Sequence, residues 1–241
     1  MISCSSISEM GNREVNEDSV GIFRNDKVIC AVLADGLGGH MCGDVASSMA
    51  VENVLEMFRE KPEVSFENIS MCFERVQENL LKKQSTDFKL RDMKTTLVIL
   101  MADEKHLIWG HVGDSRIYYF NRKKLIEHTL DHSVPQALVA AGQIKERKIR
   151  KHPDRNKLLR VMGAEWRKPA YAISSIHDSK SEMAFLMCSD GFWEWVNERQ
   201  MEVSLRKSKN AEEWLERMQN IVEKKGRTQD MDNYSAITVQ I

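Results

Sequence analysis

The sequence predicts an α+β fold, and three observations predict it. Four strand-like segments follow one another with no helix between them, at residues 95–101, 106–112, 116–120 and 124–129. Two stretches, residues 44–59 and 66–83, carry apolar side chains at helical spacing. A further helical region, residues 193–225, precedes one more strand at 235–240. Helices in pairs beside runs of antiparallel strands give this class, although the pattern does not fix the number of sheets.

The chain opens with short strands, among them residues 19–23. Residues 28–34 (VICAVLA) form a continuous apolar run, which suits a strand buried on both faces. The run ends in Asp35-Gly36, followed by Gly38-Gly39. On the first helix Val45, Met49, Val51, Val54, Leu55 and Phe58 recur at helical spacing. On the second, Ile69, Phe73, Val76 and Leu80 make one stripe. Short polar connections join the next four strands, which predicts an antiparallel meander. Residues 133–142 read as a short helix. Residues 145–168 are basic, with Lys145, Arg147, Lys148, Arg150, Lys151, Arg155, Lys157, Arg160, Arg167 and Lys168 against three acids. Two more strands, near 170–176 and 182–188, lead into the last helical region.

A length of 241 residues fits one medium domain. There is no internal repeat, and the four prolines do not cluster into a linker, so residues 1–241 are expected to fold as one unit. Hydrophobic residues make up 42% and charged residues 29%, a balance that supports a core and argues against disorder. A formal net charge of -1 gives no global field for nucleic acid or an anionic membrane. No apolar run approaches the ~18 residues of a membrane span. The first ten residues lack the basic and apolar regions of a signal peptide, so a soluble cytoplasmic protein is expected. Cys4, Cys30, Cys42, Cys72 and Cys188 are odd in number and widely spaced, which predicts reduced thiols. The five tryptophans, Trp109, Trp166, Trp193, Trp195 and Trp214, read as packing residues.

Carboxylates recur at strand ends. Asp35 follows residues 28–34, Asp114 follows 108–112, and Asp190 follows 184–188. Asp232 precedes 235–240, and Glu17-Asp18 precede 19–23. Several carboxylates gathered in one place repel strongly unless a cation neutralises them. An oxygen-only set suits Mg²⁺ or Mn²⁺ rather than zinc. Two such ions about 4 Å apart can activate a water and clamp a phosphoryl group. Taken singly, each Asp-Gly pair reads equally as a turn.

The order of motifs resolves that ambiguity. Residues 11–18 (GNREVNED) resemble the opening Arg-x-x-Asn-Glu-Asp motif of the metal-dependent protein phosphatases, the type 2C serine/threonine family. Residues 34–40 (ADGLGGH), with Gly43 and Ala46-Ser47, are similar to its glycine-rich metal motif. Thr95-Thr96, then 111–116 (HVGDSR), follow in family order. Thr129-x-Asp131-His132-Ser133 and His152-Pro153-x-Arg155-Asn156 resemble the segments flanking the family's flap, and 188–191 (CSDG) and Asp232-Asn233 the two late metal motifs. The match spans essentially the whole chain and is nearest to bacterial single-domain members.

The resemblance implies a four-layer α-β-β-α sandwich, with two central antiparallel sheets flanked by helix pairs and a flap subdomain at about 133–168. It implies two Mn²⁺ or Mg²⁺ ions, with Asp35 bridging them and Asp190 and Asp232 completing the first site. The Gly36 carbonyl, Glu17 and Asp18 would serve the second site, and Asp114 a third, weaker one. Arg13 would grip the substrate phosphate, and Asn233 would orient Asp232. A metal-bridging hydroxide would attack phosphorus directly, so no side-chain nucleophile is assigned. Leu37 stands where many eukaryotic members carry a histidine. His40 is no safe substitute for it, which leaves the leaving-group acid unassigned. The expected partners are phosphorylated proteins made by a serine/threonine kinase, with no nucleic acid and no membrane, and a monomeric enzyme. The competing readings are a catalytically weak phosphoprotein-binding relative, a narrow regulator acting on one switch protein, and a phosphatase of nucleotides or small molecules.

Overall fold

The computed structural model describes residues 2–37, 42–226 and 229–241. In chain order the strands and helices are β1 (Ser3–Glu9), β2 (Asp18–Arg24), β3 (Val28–Leu37), α1 (Gly43–Glu60), α2 (Phe66–Thr86), β4 (Lys94–Thr95), β5 (Leu97–Asp103), β6 (His106–Val112), β7 (Arg116–Asn121) and β8 (Lys124–His128). They continue with α3 (Val134–Ala140), β9 (Ala172–Ile173), β10 (His177–Asp178), β11 (Met183–Cys188), α4 (Asp190–Trp193), α5 (Glu198–Arg206), α6 (Ala211–Gly226) and β12 (Tyr234–Gln240). One sheet has the order β1-β12-β11-β7-β8 and the other β10-β6-β5-β3-β2, with β4 added to β3 and β9 to β6. All pairings are antiparallel.

The two-faced burial read from residues 28–34 has a direct cause. Along β3, Cys30, Val32 and Ala34 face α1 and α2, while Ile29, Ala31 and Leu33 face the other sheet. The second sheet mirrors this. Phe185, Met187, Ile237 and Val239 meet the first sheet, and Leu186, Cys188 and Ala236 meet the α4–α6 side. Three apolar interfaces between four layers follow, which is the α-β-β-α sandwich. Each fully buried Val, Leu, Ile or Phe in them contributes about 1.5–3 kcal/mol. Helix starts are fixed locally. Ser65 caps α2 by accepting from the Asn68 N–H at 3.2 Å. Asn197 and Gln200 form a reciprocal capping box at α5.

The expected meander is corrected. Strand β5 pairs with β6 and β7 with β8, but β6 and β7 lie in different sheets. The chain changes sheet within residues 113–115, where Gly113 has φ +103°, a value that side-chain-bearing residues rarely adopt. Strand periodicity is the same in either sheet, so this crossing leaves no periodic trace. The strand expected near 170–176 is two short bridges, β9 and β10, on the edge of β6. Residues 133–168 carry α3 and a 3-10 turn at Glu146–Lys151. Ion pairs Arg150–Glu198 (2.5 Å) and Arg155–Glu194 (2.6 Å) tie this segment to α5 and to the end of α4.

Candidate active site

A cleft of about 690 Å³ opens at one end of the sandwich. The C-terminal end of β3 brings Asp35, Gly36 and Leu37 to it. The turn from β11 into α4 brings Asp190, and the residues before β12 bring Asp232 and Asn233. The sheet-to-sheet crossing brings Asp114, and the β1–β2 loop brings Arg13 and Glu17. Asn156 and Leu158 of the basic segment form part of the wall. Asp18 begins β2 directly opposite Asp35 in register. Every carboxylate singled out in the sequence is therefore in or against one cleft. Gly38, Gly39 and His40 lie outside the described residues.

A set of hydroxyls holds these acids; Thr95, Thr96, Ser115 and Ser189 all fall within the sequence motifs, but their hydrogen-bond partners were not legible there. The Asp35 N–H donates to Thr96 Oγ1 at 2.9 Å, and the Asp35 carbonyl accepts from Thr95 Oγ1 at 2.9 Å. Thr96 Oγ1 in turn meets Ser115 Oγ at 2.8 Å, across the sheet change. Ser189 Oγ donates to Asp18 Oδ2 at 2.8 Å and accepts from the Ser235 N–H at 3.0 Å. At Gly36 three backbone segments crowd together. A Cβ there would lie 2.2 Å from the Gly43 carbonyl oxygen and 2.6 Å from that of Glu17.

Asn233 contacts Asp232 through its backbone and the β1–β2 loop through its side chain. Its backbone N–H donates to Asp232 Oδ1 at 2.9 Å. Its side chain instead accepts from the Glu17 N–H and donates to the Met10 and Val15 carbonyls, at 2.9, 2.9 and 3.0 Å. The amide thus pins the β1–β2 loop to the start of β12. Arg13 sits on that loop and makes a two-pronged pair with Asp232, Nε to Oδ1 at 2.9 Å and Nη2 to Oδ2 at 3.0 Å. Trp166, which packs on the α1–α2 side and donates Nε1–H to the Val161 carbonyl at 3.0 Å, is a packing residue as expected.

The electrostatics mark this cleft as a place for cations. Burial, then the charges of Asp18, Asp190, Asp114 and Asp232, hold the Asp35 carboxyl well above the usual carboxylate range. Burial and the neighbouring acids, Asp114 foremost, do the same to Asp190. Burial pushes Asp18 up to about 6 despite a hydrogen bond from Ser189, and burial with the Asp131 charge pushes Asp114 up to about 7. Glu17 is raised chiefly by burial as well. Among the described residues no three His, Cys, Asp or Glu side chains converge as a ready-made cage. Asp232 faces Arg13 and Asp18 faces Ser189. The donor set itself, oxygen-only and mutually repelling, fits hard divalent cations.

The comparisons agree with this geometry. The family model described as "Protein phosphatase 2C" matches residues 8–234. The serine/threonine phosphatase stp of Listeria innocua is 31% identical over 207 residues, covering 83% of this chain and 81% of that protein. The crystal structure of the serine/threonine phosphatase Stp1 from Staphylococcus aureus superposes with a TM-score of 0.89 at 27% identity, covering 100% of this chain and 95% of that one. A similar fold, with a TM-score of 0.84 at 22% identity over 99% and 97% of the two chains, is seen in the catalytic domain of the phosphatase PstP in complex with two manganese ions. A sandwich with this cleft, matched by the family model over nearly its full length, belongs to the protein phosphatase 2C family of serine/threonine phosphatases.

Proposed function

We propose that this chain removes phosphate from phosphoserine and phosphothreonine of other proteins with the help of two Mn²⁺ or Mg²⁺ ions. Asp35 would touch both, Asp190 and Asp232 the first, and the Gly36 carbonyl, Glu17 and Asp18 the second, with Asp114 toward a third. The observation that carries this reading is the convergence of Glu17, Asp35, Asp114, Asp190 and Asp232 on one cleft, with Asp18 opposite Asp35 in register. Bound divalent cations supply Lewis acidity, activating water and offsetting charge on the phosphoryl oxygens. Arg13 would hold the phosphate with its planar fork of donors. The Thr95, Thr96 and Ser115 hydroxyls keep the Asp35 end of β3 in place, and Ser189 holds Asp18.

The test is hydrolysis of a phosphothreonine peptide with Mn²⁺, wild type beside Asp190→Ala. Activity that EDTA abolishes, and that the variant lowers by about 10³-fold or more, is expected. A folded wild type inactive with both Mn²⁺ and Mg²⁺ would favour the phosphoprotein-binding reading.

The basic segment suits acidic phosphoprotein surfaces. Arg150 and Arg155 are already paired with Glu198 and Glu194, whereas Arg147, Lys148 and Lys151 on the 3-10 turn are exposed. Their triple replacement by alanine is expected to raise KM several-fold for a phosphoprotein and leave a small aryl phosphate unaffected. An equal change for both substrates would remove the docking role. A serine/threonine kinase as the opposing enzyme, the cytoplasm and a monomeric state belong to the same proposal. Sedimentation as a stable dimer would remove the last. No helix among the described residues is long and apolar enough to cross a membrane.

A further inference from the structure

Arg13 and Asp232 join two functions in one contact. The guanidinium is the phosphate-holding group of the proposed reaction, and the carboxylate is a proposed cation ligand. Each occupies the other, through two parallel hydrogen bonds of 2.9 and 3.0 Å. The Asn233 N–H takes a further position on Asp232 Oδ1. A carboxylate engaged on both oxygens by an arginine fork has little lone-pair capacity left facing the cleft.

We propose that Arg13 is a latch on the cation site: it competes with the divalent cation for Asp232, so that cation binding frees the guanidinium for phosphate and an oxyanion on Arg13 tightens cation binding. The inference rests on the reading of Asp232 as a cation ligand. By linkage the two effects are reciprocal and equal in size. The pair sits at the cleft mouth, with the two side chains 46% and 44% exposed, so it opens readily and the coupling is modest.

The loop does not depend on the latch. The Asn12 N–H donates to the Met231 carbonyl at 2.9 Å, and the Met231 N–H donates to Asn12 Oδ1 at 3.1 Å. Asn233 Nδ2 donates to the Met10 and Val15 carbonyls. Replacing the Arg13 side chain therefore leaves the backbone where it is, and affinity changes report the latch and not a displaced loop.

The experiment is Mn²⁺ titration of wild type, Arg13→Lys and Arg13→Gln at equal ionic strength, followed by the electron paramagnetic resonance signal of free Mn²⁺. Lysine keeps the charge and loses the fork. Both variants are expected to take up the first Mn²⁺ more tightly than wild type, glutamine by about fivefold and lysine by less. Sulfate, as the probe oxyanion against matched chloride, is expected to tighten Mn²⁺ binding to wild type and not to Arg13→Gln. Unchanged or weaker binding in both variants would overturn the latch. Tightening in glutamine alone, with lysine equal to wild type, would also overturn it, because general charge repulsion explains that pattern. A wild type that binds no Mn²⁺ would overturn the cation-site reading and the latch together.

Discussion

Two buried charged regions lie within a few residues of each other along the chain and are built on opposite terms. At Arg116 the guanidinium donates from Nε and Nη2 to the two oxygens of Asp131, both at 2.7 Å, and from Nη1 to the Tyr118 hydroxyl at 3.0 Å. Its Cζ lies 3.6 Å from the ring centroid of Trp193, and the two charged side chains are 4% and 2% exposed. Each guanidinium nitrogen there has a partner. Two residues earlier, Asp114 belongs to the cleft, where acid faces acid and burial raises the carboxyls. The compensated pair acts as a structural brace, and the acidic group is the one for which cation binding is proposed. The brace also serves the site, since Trp193 Nε1–H donates to the Asp114 carbonyl at 3.0 Å and so links the sheet crossing to the helix that begins with Asp190.

That contrast can be broken at either side. The largest stability effect should come from the brace. Asp131→Ala leaves a buried guanidinium unpaired and should cost about 3–5 kcal/mol in denaturant unfolding, whereas a combined Arg116→Met and Asp131→Leu variant should recover much of it. A loss under about 1 kcal/mol for Asp131→Ala would mean that the pair is not doing the bracing.

The cleft should behave in the reverse sense, with a smaller effect. The folded-state value of Asp114, about 7, stands above the ordinary 3.8. Between those two values the folded cation-free protein holds a proton that the unfolded chain has released. Its contribution to stability is present in full below about pH 4 and is lost as pH rises through about 7. Asp114→Asn keeps the shape and cannot ionise. In EDTA its Tm should differ least from wild type near pH 4 and exceed it increasingly as pH rises, by a few degrees at pH 8. A Tm difference that does not grow with pH would show that the acid is not strained by its surroundings. Mn²⁺ should narrow the gap at pH 8, by stabilising the wild type more than the variant.

Much of this protein was legible before folding. Residues 28–34 announced a strand covered on both sides, because an unbroken apolar run has no polar face to leave in water. The two amphipathic stretches became α1 and α2 because apolar side chains at helical spacing bury one stripe and leave the other face in water. The acids at strand ends were legible because a carboxylate next to a core strand and a glycine has few places to go. Other features were not. Residues 116–120 have the same alternation whichever sheet receives them, so only the turn at Gly113 and the pairing of β7 with β11 decided the crossing. Strand β1 (SCSSISE) has few apolar residues of its own, and its place at the sheet edge is set by pairing with β12. The pairing of Arg13 with Asp232, 219 residues apart, was equally hidden. Composition and local spacing determined which groups are hydrophobic, charged or hydroxyl-bearing and where each strand ends. Tertiary structure alone decided which charges meet a partner and which meet their own kind, because that depends on distances between segments that local sequence does not encode.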